Sequence, residues 1–260
     1  MKDKSKSLEQ TKSRLWLLLS VLIGIGVWTL LSIFPKTSRV FPNIIEVTKQ
    51  IPIMIDREIF FKDIGSSLIS IFAGYGLGFV FSLPIAILMA WYKPIRKIVE
   101  PWIQFIRNIP PLAYVPLVVI GAGVGRKPQI IVITLATFLT MSIIMYSGII
   151  NIDETLIKAA KVLGASDKDI FFRVLAPASL PFILTAIRLG ASVALTTLVA
   201  AESTGAFAGL GMRIRSLNNN FETKPMLLYI ITIGVIGLII EKLIKLLERK
   251  LTGWQEKREL

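Results

Sequence analysis

Six stretches of this 260-residue chain are each long and apolar enough to cross a bilayer as a helix, and no other feature constrains the fold as tightly. At about 1.5 Å of rise per residue, about 20 apolar residues cover roughly 30 Å of hydrocarbon. On that ruler the spans fall at 15–34, 64–91, 103–123, 128–150, 177–201 and 225–247. Lipid offers no partner to backbone N–H and C=O groups, so spans of this length must be helical. The fold class that follows is an all-α integral membrane protein with six transmembrane helices. Pro110, Pro111 and Pro116 interrupt the third span, which predicts a kink or an unwound segment there. The sixth loses its uncharged character after Ile240, where Lys242 and Lys245 can snorkel to the interface.

Domain organisation follows from the spans. A cytoplasmic tail at 1–14 precedes a membrane domain at 15–250, which includes a long loop at 151–176, and a tail at 251–260 ends the chain. The first apolar run follows five cations, as in a secretion signal. It is too long for that role, and Pro35-Lys36-Thr37 after it is no small-residue cleavage site, so a retained span is expected. The segment 35–63, with Pro35, Pro42 and Pro52 among mixed charges, is expected to form an extracytoplasmic loop with a short amphipathic helix.

Composition excludes whole classes of chemistry. With no cysteine and no histidine, the chain has no disulfide, no thiolate, no imidazole metal ligand and no histidine-dependent catalytic triad. Its net charge of +13 falls in short clusters between apolar runs, a pattern that fits lipid headgroups rather than nucleic acid. Eighteen Lys and Arg lie in the N-terminal tail, 92–97, 151–176 and the C-terminal end, against ten in 35–63, 126–127 and 202–224. The positive-inside rule therefore puts both termini in the cytoplasm.

The loop between the fourth and fifth spans carries the most information. Leu156, Ala159, Ala160 and Leu163 recur at helical spacing, with Glu154, Lys158 and Lys161 opposite, which predicts a short amphipathic helix. Gly164 stands where a left-handed residue would close it, and Ser166 with Asp169 forms a capping pattern that opens a second helix. Pro177 and Pro181 fit the first turn of the next span or a kink just inside it.

This loop resembles the EAA loop of ABC importer permeases, whose pattern is E-A-A, three residues, Gly, nine residues, then I-x-L-P. Here the positions are Lys158-Ala159-Ala160, Gly164 and Val174-Leu175-Ala176-Pro177, with both spacings intact. Lys158 replaces the acidic residue, Val174 the isoleucine and Ala176 the leucine. The likeness runs from about residue 40 to the C-terminus. VFPNIIEV at 40–47, RNIPPLAYVPL at 107–117 and LVAAESTGAFAGLG at 198–211 are similar to segments of the nitrate, taurine and aliphatic sulfonate group.

The resemblance implies a type I importer permease: a translocation pathway for a small anion such as nitrate, taurine or a sulfonate, delivered by an extracytoplasmic binding protein. It implies coupling helices at 151–176 that contact an ATPase dimer, with ATP and magnesium on that partner and no cofactor on this chain. A second copy of the permease, the bacterial inner membrane and its lipid complete the expected setting. The glycine-rich stretch 121–128 lacks the G-K-[ST] of a phosphate loop, which agrees with a separate ATPase.

Five further positions, Arg107, Pro110, Pro111, Arg188 and Glu202, are candidates for the pathway or a gate. Arg188 lies deep in the fifth span, where a charge costs about 2.5–3.5 kcal/mol, so it either bonds another helix or serves function. Glu202, at the outer end of that span, fits a gate or a solvated carboxylate at headgroup level. Arg107, before the Pro110-Pro111 break, fits the pathway or the cytoplasmic interface. Gly74 and Gly78 form a small-residue pair suited to helix packing. Two alternatives stand beside this reading: an ion-coupled secondary transporter, and an ABC permease for a vitamin precursor. The first would need carboxylates inside the membrane, and between Ile64 and Ile150 only Glu100 is acidic. A membrane enzyme is disfavoured for want of clustered Asp, Glu or His at a membrane face.

Overall fold

The computed structural model describes residues 2–252, with side chains from Leu15 onward. The tail assigned to 251–260 lies outside the described residues beyond Thr252. The described chain is helical, and five of its helices are long and apolar enough to cross a membrane. These are α1 (Lys2–Ile33, apolar from Leu15), α4 (Phe60–Trp91), α7 (Arg126–Ile150), α10 (Ala176–Glu202) and α12 (Thr223–Leu251). The segment 35–63 holds two short helices where one was expected, α2 (Ile44–Thr48) and α3 (Gln50–Asp56), broken at Lys49.

The span expected at 103–123 is not one helix. It divides into α5 (Lys93–Arg107) and α6 (Pro111–Ala122), which meet at 101°. Pro110 excludes Ile109 from helical backbone and brings no N–H of its own, so α5 must stop before it. Asn108 closes α5 by donating from Nδ2 to the Gln104 carbonyl at 2.9 Å. Pro111 then starts α6 at the position where a missing N–H is harmless. α5 is sharply two-sided: Lys93, Lys97, Glu100, Gln104 and Arg107 share one face, while Ile95, Val99, Ile103 and Ile106 pack on the bundle.

α7 is the centre of the bundle, with α4 and α10 packed along it. Gly74 and Gly78 explain the closeness of α4: a methyl on Gly74 would lie 2.7 Å from Ile133 Cβ, and one on Gly78 would lie 2.9 Å from Thr137 Cβ. Both glycines of the small-residue pair are thus used inside the chain. The bundle core joins Met89, Met141, Met145 and Ala186 to the buried Ile103 of α5. α1 stands largely apart, with its apolar stretch uncovered by the rest of the chain. Its Trp28 donates to the Pro42 carbonyl at 2.9 Å.

Three contacts relate the ends of the helices. Trp91, at the end of α4, meets Phe171 in the 151–176 loop, ring centroids 5.6 Å apart. The Gly125 N–H, after α6, donates to the Gly205 carbonyl after α10 at 2.9 Å. Lys224 at the start of α12 pairs with Glu46 of α2 at 2.9 Å. The turn before α5 therefore lies beside the 151–176 loop, and the turn after α6 lies at the opposite end of α10.

Candidate functional site

The 151–176 loop projects from the end of α7. Asp153 caps α8 (Glu154–Val162) by accepting from the Thr155 N–H at 2.8 Å, and hydrogen bonding to the Thr155 side chain and backbone holds its carboxyl below the usual range. The helix closes in a Schellman motif: the Ala165 N–H donates to the Ala160 carbonyl and the Gly164 N–H to the Lys161 carbonyl, both at 3.0 Å. That motif needs a left-handed residue, and Gly164 sits at φ +79°.

Lys158, at the position that is acidic in the EAA pattern, reaches back to Glu154 at 3.0 Å, so the carboxylate stands one turn earlier on the same helix. Ala159 is exposed, Ala160 and Val174 are half-buried and Pro177 is exposed. The apolar face of α8 is only partly covered by this chain: Leu156 is exposed and Leu163 is 86% exposed, as is Val162 beside it at 87%.

The second helix predicted after Gly164 does not stand alone. Ser166 Oγ accepts from the Asp169 N–H at 3.2 Å and opens one turn, α9 (Asp167–Asp169). A π-helical segment at Ile170–Leu175 then carries the chain straight into α10. Pro177 has no N–H for the Arg173 carbonyl, and the wider π spacing falls where that bond would be missing.

At the other end of α10 the structure builds a site that sequence reasoning saw only in part. Glu202 is fully buried and so is not a solvated carboxylate. Its Oε1 accepts from Ser67 Oγ at 2.7 Å and its Oε2 from the Gly211 N–H at 2.7 Å. Ser67 Oγ accepts in turn from the Leu210 N–H at 2.9 Å. Asp63, also fully buried, accepts from the Gly209 N–H at 3.0 Å, Arg213 Nε at 2.8 Å and the Tyr229 hydroxyl at 3.1 Å. The hydrogen bond to Asp63 raises the Arg213 guanidinium further above its ordinary value.

Two carboxylates and a serine from α4 and α10 thus hold three successive N–H groups at the start of α11 (Leu210–Asn219). Gly209, at φ +141°, leaves room for the Glu202 carboxylate, which a β-carbon there would strike. Asp63 escaped notice because it precedes the apolar run by one residue. The available signal was its spacing to Ser66, Ser67 and Ser70, a polar stripe on one face of an apolar helix.

Arg188 bonds another helix, donating from Nη2 to both carboxylate oxygens of Glu248 on α12 at 2.7 and 2.8 Å. Arg107 ends α5 at the exposed corner formed with Pro110 and Pro111, donating to Gln104 Oε1 at 3.2 Å. The candidates therefore fall in separate places: a knob beside the α4–α5 turn, a corner at 107–111, an ion pair on α10, and a buried clamp at its far end.

The described helices form an apolar bundle that carries a capped helical knob projecting from one end. The family model for the binding-protein-dependent transport system inner membrane component matches residues 82–253, and the chain belongs to that family. It is 40% identical over 240 residues to a probable ABC transporter permease protein of Brucella abortus (strain 2308), covering 92% of this chain and 95% of that one. It is 35% identical over 193 residues to the taurine transport system permease protein TauC of Escherichia coli (strain K12), covering 74% and 70%. An inward-facing MetNI methionine ABC transporter structure aligns with a TM-score of 0.66 at 18% identity, over 74% of this chain and 95% of that one, which agrees in fold.

The chain is therefore a multi-pass permease subunit of an ABC importer and not an enzyme. ATP hydrolysis belongs to a separate ATPase subunit, and a substrate-binding protein serves the system. The buried carboxylates do not revive the secondary-transporter alternative, because Asp63 and Glu202 are engaged by backbone N–H groups, Arg213, Tyr229 and Ser67.

Proposed function

We propose that this permease forms the pathway for a small organic or inorganic anion of the taurine, sulfonate or nitrate kind, as a homodimer with an ATPase dimer that binds ATP and magnesium. The apolar residues that α8 leaves exposed carry the coupling part of this reading. Leu156, Val162 and Leu163 are anomalous in water, and docking against the ATPase would bury them. Lys158, Ala159, Ala160, Gly164, Val174 and Pro177 act as that contact or hold its shape. The relation to a taurine permease supports a substrate that carries a sulfonate group. Arg107 at the corner, with Pro110 and Pro111 opening the helix, suits an anion's path.

Six crossings fit the chain best, with the α5–α6 pair as one bent crossing. Its two ends lie at opposite ends of α10, as the contacts of Trp91 with Phe171 and of Gly125 with Gly205 indicate. Both termini then lie with the basic knob on the cytoplasmic side, and the Asp63–Glu202 clamp lies outside, where it steadies an outer gate. Uptake by the reconstituted system tests the substrate: taurine, sulfonates or nitrate should be carried. Transport confined to a neutral or cationic vitamin precursor would overturn the anion assignment.

A further inference from the structure

A cavity of about 690 Å³ opens between the knob and the bundle, and nothing in the proposed transport cycle uses it. Its floor includes Leu83, Ile87 and Ile183, and its rim carries Lys93, Arg96 and Lys161. Two carboxylates also line it, Glu154 and Asp167, of which Glu154 is already paired with Lys158. Arg96 spends its Nε on Glu100 at 3.1 Å and lies over the Tyr146 ring, and its terminal nitrogens remain for another acceptor. Lys93 and Arg96 also line a second groove of about 520 Å³ along the polar face of α5, so the two hollows share a cationic edge.

The combination selects its occupant. Leu83 stands eight residues inside the end of α4, about 12 Å along the helix, so the floor reaches below headgroup depth. A protein loop pushed that far would lose solvent for its backbone N–H and C=O groups, whereas an acyl chain has none to satisfy. A small free anion would use the rim and gain nothing from the floor. The exposed tip residues Val162 and Leu163 are not part of this cavity, so it stays distinct from the surface assigned to the ATPase.

We propose that this cavity binds one anionic phospholipid, its phosphate on Lys93, Arg96 and Lys161 and an acyl chain along Ile87, Leu83 and Ile183. The lipid bridges α4, α5 and α10 to α8, and so holds the knob at its angle to the bundle. The assignment of the knob side as cytoplasmic, on which the choice of leaflet rests, comes from the topology proposed above.

Native mass spectrometry of the detergent-purified permease–ATPase complex tests this, with added phosphatidylglycerol or phosphatidylcholine as probes. The wild type should retain phosphatidylglycerol over phosphatidylcholine. Each cation beside an anionic headgroup contributes about fivefold in affinity, so the double substitution Lys93→Gln and Arg96→Gln should weaken retention by about 30-fold. Ile87→Trp, which fills the floor and keeps the cations, should also release the lipid. Glycerol phosphate should not compete, since it lacks the chain. Equal retention in both variants, or full competition by glycerol phosphate, would overturn the proposal. Detergent has no leaflets, so this result stands apart from the topology, which reporter fusions decide.

Discussion

Arg188 and Glu248 lie 60 positions apart and close one carboxylate onto one guanidinium nitrogen, tying the middle of α10 to the end of α12. The side chains are 38% and 29% exposed, so neither the surface nor the fully buried estimate applies. Removing either partner should cost on the order of 1–2 kcal/mol. Thermal melts of the detergent-purified complex should show Arg188→Ala and Glu248→Ala each destabilising, and the double variant less than their sum. The swap of Arg188→Glu with Glu248→Arg separates roles: restored melting with restored uptake marks a structural pair. Restored melting without uptake would give Arg188 a place in the pathway.

The clamp at Glu202 leaves no site for an extra donor. In Glu202→Gln, the amide nitrogen must face either Ser67 Oγ or the Gly211 N–H, both of which already donate there. One buried donor loses its acceptor at a cost of about 1–3 kcal/mol. Melting should fall accordingly, and a cysteine introduced at Ser216 should label faster than in the parent. Unchanged melting and labelling would show that α11 is held by something other than its N-terminus.

Gly164→Val meets no neighbour, since nothing lies within 4 Å of where a β-carbon would point. The whole effect is therefore backbone strain at φ +79°, about 1–2 kcal/mol for an ordinary residue and more for a β-branched one. The variant should insert normally yet lose uptake and substrate-stimulated ATP hydrolysis, while Gly164→Asn, which tolerates this conformation, should keep both. Wild-type coupling in the valine variant would remove the coupling role of the knob.

Gly78 and Gly76 make an internal comparison. A side chain on Gly78 meets Thr137 and the Phe138 N–H, the latter 3.2 Å from its β-carbon, whereas one on Gly76 meets nothing within 4 Å. Gly78→Val should force α4 away from α7 at a cost of about 1–3 kcal/mol or more. Gly76→Val should leave the melting temperature of the detergent-purified complex almost unchanged. Equal loss from both would mean that the outer face of α4 is covered by a partner.

Topology is open to a direct check. Reporter fusions at residues 50 and 160 should report opposite sides of the membrane, with 160 in the cytoplasm, as the distribution of Lys and Arg requires. A shared side would sink the six-crossing arrangement.

How much of this was legible depended on range. Runs of apolar residues are a local signal, and α4, α7 and α12 appear within a few residues of their expected limits. The Pro110-Pro111 break was legible as a break, but its 101° corner depends on where Ile103 and Val115 find neighbours, which no local pattern records. The knob was readable because caps are local. The clamp was not, since Asp63 and Gly209 are 146 positions apart and their pairing exists only once α4, α10 and α11 have met.

That last dependence bears on how the protein is made. α11 has ten residues and no cap of its own, since Gly209 supplies no side chain. A helix so short is marginal in isolation, and its first turn finds its acceptors only on two membrane helices that leave the ribosome at different times. The N-terminal N–H groups of α11 gain these acceptors only once α4 and α10 have been inserted and have found each other. α11 is then among the last elements to take shape, and its formation reports that the bundle has closed. A quality-control protease able to reach this end of the bundle would find residues 210–219 easier to cut in a misassembled copy than in a finished one.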